Sequence, residues 1–150
     1  MHDLAYLIGQ ESLALDQLIN TLNEELGALK AGMADALPEI VEKKNKILEG
    51  LARLDRKRGE LLVTARCSAD RAGLKKWAKD NERKPIVDDF LAKADEAREL
   101  NRLSGQLISL RLQHTQSALE TLVPNRSAQG LYGRSGKTSF STGYRLIDSA

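Results

Sequence analysis

Leu4 to Met33 reads LAYLIGQESLALDQLINTLNEELGALKAGM, and its spacing decides the fold. Leu4, Ile8, Leu15, Leu18, Ile19, Leu22, Leu26, Leu29 and Met33 recur at threes and fours, the period of one face of an α-helix. Asp3 stands where an N-cap belongs. Gly32 supplies a stop, because glycine enters the left-handed region without a Cβ penalty. A helix of about 29 residues would run about 43 Å.

The same period continues beyond it, punctuated by Pro38, Pro85 and Pro124. Pro38 is tolerated in a first helical turn, and Glu39 and Glu42 suit that end of the helix dipole. Ile40, Ile47, Leu54 and Leu61 follow at intervals of seven, with Leu51 and Ala65 on an adjoining track. Lys44 and Arg58 share that adjoining track; long basic stems can lie along an apolar groove with their charges out. Heptad spacing predicts long antiparallel helices. Residues 67–84 read as a connector with one short amphipathic helix, Trp77 closing the end of the bundle, and a charged loop from Asp80 to Lys84. A third long helix is predicted from about Ile86 to Leu122, with Asp88 and Asp89 in its first turn. Val87, Phe90, Ala94, Ala97, Asn101, Ser104 and Ile108 form one stripe on it; Leu100, Leu103, Leu107 and Leu110 form a second. A helix apolar on two faces is packed between neighbours or keeps one face for a partner. The fold class is therefore all-α: an antiparallel bundle of three long helices plus a short connector helix, over residues 1–124.

Residues 125–150 are predicted to form a flexible C-terminal docking tail. They hold four of the eleven glycines and three of the six aromatic residues. Leu131, Tyr132, Phe140, Tyr144, Leu146 and Ile147 are spaced anchors in a polar segment, the design of something that docks on a partner. Phe140, Tyr144 and Ile147 match a helix, whereas Phe140, Thr142, Tyr144 and Leu146 alternate like a strand.

Bulk composition excludes several classes of protein. The 150 residues fit one domain able to bury a core. No apolar run approaches the roughly 20 residues that span a bilayer, so no direct membrane insertion is expected. The N-terminus lacks the basic region of a secretory signal, and a lone Cys67 fits a reducing compartment, so a cytoplasmic location is expected. Residues 1–42 carry one base against eight acids, and residues 43–84 fourteen bases against six acids. That layout reads as an acidic helix beside a basic one. A nucleic-acid surface is the weaker reading, because acids are intermingled and the total is only +2.

Catalytic patterns are missing. GLYGRSGKT ends like a phosphate-binding loop at Gly136, Lys137 and Thr138, but Leu131 stands where its first glycine must be. His2 and His114 have no triad partners, Cys67 has no nearby histidine, and no Glu-x-x-His pair is present to hold a metal. The remaining acids read as a solvated face. No enzyme activity, cofactor or metal is expected. Asn101 on an apolar stripe predicts a cross-helix hydrogen bond that sets register. Gly105, unfavourable by about 1 kcal/mol against alanine inside a helix, predicts close helix approach or partner access.

Long helices, then ELNRLSGQLI (Glu99 to Ile108), then LYGRSGKTSFSTGYRLIDSA (Leu131 to Ala150), resemble the flagellar export chaperones of the FlgN type. The resemblance extends over essentially the whole chain, and the LYG-x-x-G stretch with the following phenylalanine carries it most specifically. In that family a second asparagine is common where Ser104 stands here. The resemblance implies a cytoplasmic, non-catalytic protein. It would bind hook-associated (hook–filament junction) proteins, mask their C-terminal helices, and escort them to the cytosolic domain of the export gate protein FlhA. The implied client-binding region is the end of the third helix, with Asn101, and the tail, with Leu131, Tyr132, Gly133, Phe140, Tyr144, Leu146 and Ile147. Tyr132 is the candidate for contact with the export gate. A self-associating helical scaffold or adaptor is the alternative reading of the same leucines.

Overall fold

The computed structural model describes residues 3–122. Four α-helices account for almost all of them: α1 (Leu4–Ala31), α2 (Leu37–Thr64), α3 (Arg71–Asp80) and α4 (Lys84–Leu122). α1 ends where the sequence says it must. Gly32 takes φ 70°, and the next amide, of Met33, closes back on the Ala28 carbonyl at 2.9 Å. At the other end Asp3 holds the N-cap position in an extended conformation, but its carboxylate makes no capping hydrogen bond.

A short 3-10 turn, Ala34–Ala36, leads into α2, whose first turn contains Pro38. After α2 the chain reverses through Arg66 at φ 61° and enters α3. Asp70 caps α3 by accepting the Gly73 amide at 2.8 Å, and Ser68 donates to the same carboxylate at 2.6 Å. Gly73 is obligatory there: a Cβ on it would lie 1.8 Å from the Ser68 carbonyl oxygen.

The connector is tighter than the sequence suggests. α4 begins at Lys84 rather than Ile86, since Pro85 suits a first turn and Glu82 at φ 56° makes the reversal. Asp88 and Asp89 consequently fall in the second turn, and the first turn holds no acid.

Cross-helix pairs establish the topology. Glu11 meets Arg58 and Glu25 meets Lys44, so α2 runs antiparallel to α1. Asp16 meets Lys93 at 3.0 Å and Glu25 meets Ser104, so α4 runs parallel to α1. The result is an up-down-up bundle, with α3 crossing at the end where α1 begins. Its core is leucine-rich, centred on Ile8, Leu18, Leu22, Leu62 and Leu74, with Phe90 the central aromatic. Each such side chain contributes about 1.5–3 kcal/mol by leaving water. Trp77 packs into that core with Leu74 and Ala78, at 8% exposure, as the end-closing role requires.

Candidate partner-binding site

The α1 helix positions everything else through two heptad tracks. Ile8, Leu15, Leu22 and Leu29 form one; Leu4, Glu11, Leu18 and Glu25 form the other, and all eight are buried. The second track faces Arg58, Leu51 and Lys44 of α2, so leucine layers alternate with ionic layers. Lys44 and Arg58 thus point in. Their expected arrangement, stems along the groove and charges out, is overturned by Glu25 and Glu11, which meet them inside. These two acids are equally not part of a solvated face.

Both layers are closely tied. Glu25 takes the Lys44 ammonium at 2.8 Å and accepts the Ser104 hydroxyl from α4, so one carboxylate joins three helices. Arg58 donates to Glu11 and to Asp55 and lies 5.0 Å from the Phe90 ring centroid. Burial pushes the Glu11 carboxyl up from 4.5 to about 7, against the pull of Arg58. Its second oxygen, Oε2, is buried without a hydrogen-bond partner among the described residues. The sequence signal for this ladder is an acid at each gap in the leucine heptads of α1, matched by a base at the same fourteen-residue interval on α2.

The predicted core stripe of α4 is buried from Val87 through Ser104. Asn101 lies on it at 7% exposure, one turn before Ser104. Ser104 has a definite task where the resemblance suggests a second asparagine: it bonds Glu25. Of the second stripe, Leu100 and Leu107 are half-buried, while Leu103 and Leu110 are 37% and 60% exposed. An added Cβ on Gly105 would meet nothing within 4 Å, so close helix approach is not its purpose. His114 is exposed, and Cys67 is half-buried against the core.

The contact between the two parallel helices extends past Ser104 to the end of α1. Arg111 donates to the Leu29 carbonyl, one of the orphan acceptors at the end of α1. α1 stops at Ala31, and α4 continues to Leu122. By 100° per residue, Ile108, Leu112, Leu119 and Leu122 prolong the face that Val87 to Ser104 bury in the core. Past the end of α1 no described helix lies beneath that face. Leu112 and Leu119 are each 39% exposed and Leu122 77%. The named tail residues Leu131, Tyr132, Gly133, Phe140, Tyr144, Leu146 and Ile147 lie outside the described residues.

A helical bundle with one helix outrunning its support, and no metal-holding cluster among the described residues, defines a class of helical proteins with an apolar face left for another molecule. Residues 1–139 match the family model of the FlgN protein, and the chain belongs to that family. The match takes in Leu131, Tyr132 and Gly133 and stops short of Phe140. Two curated relatives, the flagella synthesis proteins FlgN of Salmonella typhimurium and Salmonella typhi, are each 29% identical over 143 residues, covering 94% of both chains. The crystal structure of a FlgN-type chain from Pseudomonas aeruginosa matches with a TM-score of 0.64 at 25% identity. It covers 72% of this chain and 90% of that one. Membership assigns the chain a role in flagellar assembly. No helix among the described residues is long and apolar enough to cross a membrane.

Proposed function

We propose that the chain is a cytoplasmic export chaperone for hook-associated proteins, masking their C-terminal helices and escorting them to the cytosolic domain of FlhA. The observation that carries this reading is the continuation of α4's core face past the end of α1. An amphipathic client helix would lay its apolar side against Leu112, Leu119 and Leu122, replacing the bundle partner they lack. The tail would add Leu131, Phe140, Tyr144, Leu146 and Ile147 as further anchors around the client. Ordering a tail on binding lowers affinity by several kcal/mol, which suits a client that must be let go. Tyr132, in the LYG stretch with Gly133, would meet the export gate. No catalytic step belongs to this role.

Capture of hook-associated proteins by three proteins tests the proposal: the full chain, the chain ended at Pro124, and the double variant Leu112→Glu, Leu119→Glu. Both altered forms should lose capture while keeping their helix content. Undiminished capture by both would remove the proposal. Light scattering separates the scaffold alternative: a stable homo-oligomer whose size no client changes would favour self-association.

A further inference from the structure

The second apolar stripe of α4 is left without cover by the described helices. Leu100 packs against the core, but Leu103 is 37% and Leu110 60% exposed, with half-buried Leu107 between them. Leu103, Leu107 and Leu110 stand at i, i+4 and i+7, an apolar line about 10 Å long on one flank of the helix. Leu110 and Leu112 point roughly 160° apart about the helix axis, so this line is separate from the client face. A row of exposed leucines marks a surface that something covers.

The rest of the chain supplies an occupant of matching spacing. Residues 123–150 continue directly from the end of α4. Within them Phe140, Tyr144 and Ile147 repeat the interval of four and then three. A helical segment there would present three anchors at the pitch of the three leucines. Reach is ample: Leu110 lies about 18 Å back along α4 from Leu122, and the linker of residues 123–139 can extend about 55 Å. Gly143 disfavours a helix standing free, so the segment needs a surface on which to fold. The family match ends at residue 139, so membership gives these three side chains no task.

We infer that residues 140–147, which lie outside the described residues, dock on their own chain, antiparallel along the second stripe of α4. Phe140 then meets Leu110, Tyr144 meets Leu107 and Ile147 meets Leu103. Leu112 and Leu119 stay open, and Tyr132 falls in the loop between the docked segment and α4. Burial of three large side chains is opposed by the ordering of about eight residues, so docked and free forms exchange. Anchors kept beside the client face, rather than dispersed, leave less ordering for a later partner to impose. The docking concerns the chain by itself and does not depend on the chaperone reading.

The test places a nitroxide at Ser149→Cys in the isotope-labelled full chain carrying Cys67→Ser, and reads the loss of amide signal it causes. Loss should be greatest at residues 100–107. A tail that never docks would instead broaden the amides nearest its root, at residues 119–122. Phe140→Ser with Tyr144→Ser, which leaves the bundle untouched, should move the maximum to that root. Leu103→Glu with Leu110→Glu should do the same at unchanged helix content, whereas Leu112→Glu with Leu119→Glu should not move it. Isotope-labelled chain without nitroxide, mixed with nitroxide-bearing chain without isotope, should lose no signal. A maximum at the root or around Leu112 and Leu119, indifference to the Phe140 and Tyr144 changes, or loss in the mixture, which would indicate a second copy, would each overturn the inference. No client protein enters any arm, so this result and that of the chaperone proposal stand separately.

Discussion

Lys44 of α2 reaches Glu25 of α1 at 2.8 Å with both side chains almost wholly out of water, at 4% and 0% exposure. Removing one partner leaves the other charged and buried, at about 3–5 kcal/mol. Lys44→Met should therefore lower the urea midpoint sharply. Glu25→Leu combined with Lys44→Leu should recover most or all of that loss, because leucine layers already flank the site. A double variant as unstable as the single one would show that the pair contributes more than mutual neutralisation.

Glu11 gives the fold a pH slope. The folded chain keeps a proton on this carboxyl up to about pH 7, whereas the unfolded chain releases it near 4.5. The folded state therefore binds the extra proton between those values, and stability from this group falls as pH rises through them. At 1.36 kcal/mol per unit the upper limit is roughly 3 kcal/mol. Denaturation at pH 5 and pH 8 should show the native chain losing stability relative to Glu11→Gln. Parallel behaviour of the two proteins would contradict the assignment.

Gly73→Ala should be severely destabilising, by about 2 kcal/mol or more, because the new Cβ collides with backbone rather than with a movable side chain. The tryptophan emission of Trp77 should shift to the red as α3 leaves its seat.

Gly105→Ala should do the opposite. Its Cβ enters open space, so helix propensity alone raises stability by about 1 kcal/mol. If the same variant also captures hook-associated proteins less well, the glycine serves partner access; if capture is unchanged, it serves neither packing nor binding.

The α2 helix should be less protected than α1 in amide exchange. Only two leucines, Leu51 and Leu62, are buried on it beside Lys44 and Arg58, whereas α1 buries leucines along its whole length. Exchange of α2 amides at the rate of the core of α1 would sink this expectation.

Much of the bundle is legible in the sequence because local rules and the fold agree. Gly32 ends α1, Pro38 opens α2, and the stripe from Val87 to Ser104 is the buried face of α4. The ladder is not legible in the same way. A lysine on an apolar track looks solvated until its partner is known, and Glu11 is forty-seven residues from Arg58. The candidate site divides similarly. A second stripe at Leu103 and Leu110 is visible from spacing alone, and it is exposed. The face formed by Ile108, Leu112, Leu119 and Leu122 continues the core stripe, and becomes conspicuous only once α1 is seen to stop beside Arg111.

The parallel course of α1 and α4 has a consequence for how such a chain can change over time. Past Arg111, side chains on α4 have almost no neighbours among the described residues. Substitutions there should disturb the core of the bundle little. Residues before Ser104 answer to the bundle. One continuous helix thus carries two separately tunable texts, so whatever the projecting half meets can change while the framework that presents it stays constant.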